Sequence, residues 1–200
     1  PFLLSPNPDY LYFSPEHKNA LTYLEYGLMK GNGFIILTGE VGTGKTTLIR
    51  HLLKGIESDT EVAVIFNTNI TPDEMLALIL GEFRIECDGL NKAEMLAYFN
   101  RFLKSCQAEN KKVLVIIDEA QNLSNEALEE VRMLSNLQCD DQIVLQIMLV
   151  GQPELKAHLK HPLLTQFAQR VTVSYHLSPL TKDETRRYIA FRLEKAGGDA

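Results

Sequence analysis

Gly39-Glu40-Val41-Gly42-Thr43-Gly44-Lys45-Thr46 follows the pattern G-x-x-x-x-G-K-[ST], the Walker A form of a phosphate-binding loop. The glycines let the backbone curl until successive N–H groups converge on one anion. Lys45 is expected to reach the β and γ phosphates of a nucleotide, and the Thr46 hydroxyl to ligate Mg²⁺. Gly39 through Gly44 and Thr47 complete the predicted phosphate contacts, Glu40, Val41, Gly42 and Thr43 among them. Phe34-Ile35-Ile36-Leu37 reads as a buried strand entering the loop. Thr47-Leu48-Ile49-Arg50-His51-Leu52-Leu53 reads as the helix leaving it, and its N-terminal dipole favours a phosphate. Average composition would give roughly 0.01 such matches in a chain this long, so the motif in this context reads as a nucleotide site.

The pattern around the loop is an alternation. Runs 33–38, 62–66, 113–117, 143–150 and 171–175 are candidate strands, and the first four are nearly continuous in Val, Ile and Leu. Such runs suit central parallel strands with both faces covered. Between them lie segments with helix-start signals. Ser14-Pro15 and Thr71-Pro72 each place a capping residue before a proline at the first helical position. Thr71-Pro72-Asp73-Glu74 and Thr181-Lys182-Asp183-Glu184 are capping boxes. Leu21, Leu24 and Leu28 form one helical stripe, and Met75, Leu78 and Ile79 another, both read as core faces. Strands alternating with helices predict an α/β fold on a mainly parallel sheet. A last helix starts near Lys182 and reaches Gly197-Gly198 after a five-stranded domain would already be complete. It reads as the opening of a second unit.

Composition bounds the function. At 200 residues, 45% hydrophobic, the chain suits one domain or one domain and the start of another. A net charge of −6 gives no global basic footprint for nucleic acid. Cys87, Cys106 and Cys139 lack metal-like spacing and read as reduced thiols of a cytoplasmic protein. No apolar run approaches the ~18 residues of a membrane span, and nothing at the start resembles a signal peptide. The chain opens on Pro1, which reads as a piece of a longer protein.

A second acidic site belongs with the loop. Val113-Leu114-Val115-Ile116-Ile117-Asp118-Glu119 is an apolar strand ending in two carboxylates, at the edge of a parallel sheet where ligands bind. Asp118 is expected in the Mg²⁺ shell, through water. Glu119 is expected to polarise the water that attacks the γ-phosphate. Gln152, after the fourth strand, could contact the γ-phosphate or that water, or simply open a turn on Pro153. Asn67, ending the second strand, could hold Glu119 in an inactive rotamer or be a turn asparagine. Arg170, before the fifth strand, could neutralise transition-state charge in a neighbouring subunit or form a surface ion pair. Arg132 reads as structural or interfacial.

Together these residues resemble the AAA+ ATPases of the ExeA/GspA type, the general secretion pathway protein A family. The resemblance rests on the loop with Asp118-Glu119-Ala120-Gln121-Asn122-Leu123, Gly151-Gln152-Pro153-Glu154-Leu155 and Gln169-Arg170. Pro8 to Ser14, His17, Tyr26-Gly27 and Leu128 to Asn136 extend it over essentially the whole chain. It implies a five-stranded sheet in the order 5-1-4-3-2 over residues 1–180, and the first helix of a lid over 181–200. It assigns Gln152 to the first sensor and Arg170 to the finger, and implies that the segment holding Tyr12 and Phe13 closes over adenine. It also implies ATP hydrolysis with Mg²⁺, self-association into a ring or dimer through Arg170, and membrane-bound export partners. The implied site of action is the cytoplasmic face of a bacterial inner membrane. The lid arginine of the family has no counterpart in this chain, so turnover is expected to be slow. Two other readings share the core: a DNA-linked transposition helper or initiator, and a scaffold that binds ATP without hydrolysing it. The acidic balance weighs against the first, and Glu119 against the second.

Overall fold

The protein is described from a computed structural model at residues 11–31, 33–56, 59–66, 68, 70–137 and 144–197. The predicted runs form five strands: β1 (Phe34–Gly39), β2 (Thr60–Ile65), β3 (Lys112–Ile117), β4 (Leu145–Gly151) and β5 (Val171–Leu177). They pair in the order β2-β3-β4-β1-β5, and every neighbouring pair is parallel. The order is the expected 5-1-4-3-2 read from the other edge.

Alternation along the central strands builds two cores, because successive side chains leave opposite faces. Phe34, Ile36, Val115, Ile117, Ile147 and Leu149 face one side. There they meet α3 (Pro72–Glu82), α4 (Lys92–Ala108) and α5 (Asn125–Leu134). Ile35, Leu37, Leu114, Ile116, Met148 and Val150 face the other, against α1 (Pro15–Lys30) and α2 (Lys45–Gly55). β1, β3 and β4 are therefore apolar at nearly every position. β2 differs from the expectation of a strand covered on both faces: it is a sheet edge, and Val62 and Val64 are half-buried.

The helices start where the sequence places caps. Ser14, Thr71 and Thr181 each accept from a backbone N–H in the first turn. A third capping box, Asn91 with Glu94, opens α4. The stripe expected on α3 is shifted: Met75, Leu76, Ile79 and Leu80 are buried, whereas Leu78 is partly exposed. At 100° per residue Leu76 and Leu80 extend the arc begun by Met75 and Ile79, and Leu78 falls off its far side. Two short helices, α6 (Pro153–His158) and α7 (Thr165–Ala168), connect β4 to β5. α8 (Lys182–Lys195) follows β5 and buries none of its own residues. Among the described residues, no helix is long and apolar enough to cross a membrane.

Phe34 of β1 and Phe167 of α7 stack with ring centroids 4.0 Å apart, both fully buried. Phe167→Ala leaves a cavity beneath β1 and should lower stability by about 3–5 kcal/mol. Denaturant unfolding of the two chains checks this.

Candidate functional site

β1 ends at Gly39 and α2 begins at Lys45, so the loop lies at the carboxyl edge of the sheet. Gly42 and Gly44 have φ of +81° and +91°, a conformation that side chains resist. A Cβ on Gly44 would also lie 3.1 Å from His17 Nε2. Thr43 Oγ1 donates to Glu40 O at 2.8 Å and closes the turn. Lys45 is nearly buried, and its ammonium donates to Gly39 O (2.7 Å) and Glu40 O (3.0 Å). Burial pulls its pKa down, while Glu119 and then Asp118 oppose the shift. The cation is thus held at the loop, near both carboxylates.

Strand order brings the two motifs together. β4 lies between β1 and β3, and all three run the same way. Thr46 Oγ1 donates to Asp118 Oδ2 at 2.9 Å, across 72 residues of sequence. A hydroxyl and a carboxylate side by side at a phosphate cradle are hard oxygen donors. They fit Mg²⁺, which takes few protein ligands and completes its shell with water and phosphate. The predicted ligands Thr46 and Asp118 are therefore adjacent.

Glu119 is exposed beside them, with φ of +53°. Its N–H donates to Asp118 Oδ1 (2.9 Å), and its carbonyl accepts from Thr68 Oγ1 (3.0 Å). Its carboxylate accepts from Gln121 Nε2 at 2.6 Å. Gln121 Oε1 accepts in turn from the Gln152 N–H at 2.9 Å. Gln152 caps α6 through its backbone position, directly after β4. Gln121 carried no role in the sequence reading. Asn67, offered there as the residue that holds Glu119, lies outside the described residues.

Arg170 is not brought to this edge. Its carbonyl accepts from Phe34 N at 2.9 Å, at the start of β1. The six residues of β1 put it about 20 Å from the loop that β1 feeds. Its guanidinium donates to Ser135 Oγ (3.2 Å) after α5. Arg132 pairs with Glu129 on the same helix, as a structural residue would. Phe13 packs edge-on against His51 of α2, with centroids 4.7 Å apart. Tyr12 lies 6.3 Å from Tyr188 and 5.9 Å from Phe191 of α8. Burial raises the pKa of the Cys106 and Cys87 thiols, which suits inert side chains. A cavity of about 740 Å³ opens at the opposite edge of the sheet, between α1, α2 and the starts of β2 to β4, and includes none of the predicted site residues.

His17 is a second residue that the sequence reading left without a role. It is buried on α1, and its Nε2 lies 3.0 Å from Thr43 O. A carbonyl only accepts, so Nε2 carries the proton. Nδ1, 2.8 Å from Ser14 Oγ, then accepts from that hydroxyl. The helix cap, the imidazole and the phosphate loop form one hydrogen-bonded chain.

Comparison with known proteins agrees with this architecture. Residues 28–159 match the family described as AAA domain. The chain is 46% identical over 198 residues to General secretion pathway protein A of Aeromonas hydrophila, covering 98% of this chain and 36% of that one. It thus spans about a third of the length of the curated relative it matches. Among solved structures, the ORC2 protein of Aeropyrum pernix in its ADPNP–ADP complexes superposes with a TM-score of 0.67 at 21% identity, covering 92% of this chain and 54% of that one. A Walker-type ATPase of Pyrococcus abyssi gives 0.68 at 19%, covering 98% and 63%. Domain III of the replication initiation protein DnaA from Thermotoga maritima gives 0.61 at 19%, covering 100% and 78%. At these identities the structures share the fold.

His17→Ala should leave the Thr43 carbonyl without its donor at a cost of about 1–3 kcal/mol, and His17→Gln, which keeps an N–H, should lose less. Burial, opposed by Thr43 O, Glu184 and Glu16, lowers the pKa of His17 below 6.5. A depressed histidine contributes stability that is present above its unfolded pKa and lost as pH falls below about 6.5. Thermal unfolding against pH should therefore fall more steeply on the acid side for the native chain than for His17→Gln.

Proposed function

The chain belongs to the AAA domain family, and from that membership and the loop geometry we propose that it hydrolyses ATP to energise assembly or gating of a cell-envelope export complex. Type II secretion, pilus and polysaccharide export are the systems in view. The observation that carries the enzymatic part is the 2.9 Å bond from Thr46 to Asp118, which joins the phosphate loop to the acidic strand end. The export role rests on the name of the Aeromonas relative, general secretion pathway protein A.

In this reading the N–H groups from Gly39 to Thr47 cradle the phosphates, and Lys45 exchanges the carbonyls of Gly39 and Glu40 for phosphate oxygens. Thr46, and Asp118 through water, would hold Mg²⁺, which would supply charge neutralisation to the phosphates. Glu119 accepts the proton of the attacking water as its oxygen bonds to the γ-phosphorus. The bond to the β-γ bridging oxygen breaks, giving ADP and phosphate. Gln152 orients the γ-phosphate or the water from the end of β4. Tyr12 and Phe13, between α2 and α8, close over the adenine. Arg170, on the far edge, acts in a neighbouring copy in a ring or dimer. Residues 1–180 form the nucleotide domain, and 181–200 begin a helical lid. The protein works with membrane-bound partners at the cytoplasmic face of the inner membrane.

Glu119→Gln keeps the side-chain shape and removes the base. ATP affinity by calorimetry should hold while turnover falls about 10²-fold or more. Lys45→Ala should lose the affinity itself and, in cells, block assembly of the export complex. Unchanged affinity in Lys45→Ala would refute the assignment of the site. Salt-sensitive DNA binding that stimulates turnover would refute the export role.

A further inference from the structure

We infer that Gln121 is a positioning residue of the hydrolytic site, joining the Glu119 carboxylate to the end of β4 at Gln152. The inference rests on the proposed roles of Glu119 and Gln152. Its geometric basis is a single side chain with two partners of opposite kind. The Gln152 N–H can only donate, so the atom 2.9 Å from it is Oε1. That fixes Nε2 toward Glu119, whose carboxylate accepts at 2.6 Å. A flipped amide would set N–H against N–H and oxygen against carboxylate at once. The orientation is determined from both ends.

The surroundings are shaped to this side chain. A Cβ on Gly151 would stand 2.7 Å from Gln121 Oε1, so a side chain there would displace the amide. Gln121 itself follows Ala120 in a short 3-10 turn, and Ala120 is fully buried in the core. Glu119 is clamped at its backbone by Asp118 and Thr68, in a left-handed conformation that side chains disfavour. With the backbone fixed, the rotamer of its carboxylate depends on Gln121. Gln121 therefore ties the carboxylate proposed as base to the residue proposed to sense the γ-phosphate. A base held within a fraction of an ångström by a neighbour is the arrangement that hydrolysis requires.

Two substitutions separate the halves of the bridge. Gln121→Glu keeps the oxygen that accepts from Gln152 and sets a carboxylate oxygen against Glu119 in place of the donor. Gly151→Ala leaves Gln121 and Glu119 intact and pushes Oε1 from its seat. Each should lower kcat about 10-fold or more with the ATP Kd within about two-fold. Gly151→Ala in a Gln121→Ala background should lower kcat no further, because the bridge is already gone. A readout independent of activity is the ¹⁵N spectrum of the full chain without nucleotide. There the Gln121 side-chain amide should shift in both Glu119→Gln and Gly151→Ala. Full turnover in Gln121→Glu, a fall in affinity that matches the fall in kcat, or an amide indifferent to Glu119→Gln would overturn the inference. If Glu119→Gln itself turns over normally, the role of Glu119 fails and takes the inference with it. If Glu119→Gln is inactive and Gln121→Glu is not, only the bridge fails.

Discussion

The hydrogen bond from Thr46 to Asp118 depends on every other level of the structure. It joins the first turn of α2, which β1 feeds, to the residue after β3, and these meet because β4 lies between β1 and β3 with all three parallel. A slip of one residue in either pairing would turn Asp118 to the opposite face and send the apolar residues of β3 out of their cores. The two packed faces of the sheet thus hold the register, and the register holds the site. Nothing in the loop alone would specify where the second carboxylate stands.

Around that pair, polar contacts fix the parts of the site that packing cannot. Ser14 and His17 grip the loop from α1, Thr68 holds the backbone of Glu119, and Gln121 holds its carboxylate. The first three anchors satisfy buried or half-buried groups that would otherwise cost free energy, whereas the Glu119 carboxylate is exposed. The same edge gathers the ends of β1, β3 and β4, while Arg170 stands at the start of β1 on the far side. Arg170 and the loop are thus separated by the length of β1.

Much of this was legible in the sequence because it is local. Phosphate loop, acidic strand end, Ser14, Thr71 and Thr181 caps are patterns of a few consecutive residues, and nearly continuous apolar runs marked the first four of the five strands. The less legible parts are relationships between distant residues. His17 reaches Thr43 over 26 positions, and Gln121 reaches Gln152 over 31. Neither side chain has a local pattern beyond the family match. The apolar run of β2 by itself reads like a central strand; its edge position follows from the strand order that the family resemblance implies and the pairing bears out. Leu78 was misplaced because a spacing of three and four fits either side of an arc, and the sheet chooses which side is covered.

Mn²⁺ in place of Mg²⁺ gives the most direct test of the joined loop and strand end. Paramagnetic resonance of the chain should show Mn²⁺ bound tightly only with ATP, with coupling to phosphate phosphorus, and lost in Asp118→Asn. Mn²⁺ bound equally well without nucleotide, or undisturbed by Asp118→Asn, would contradict the account.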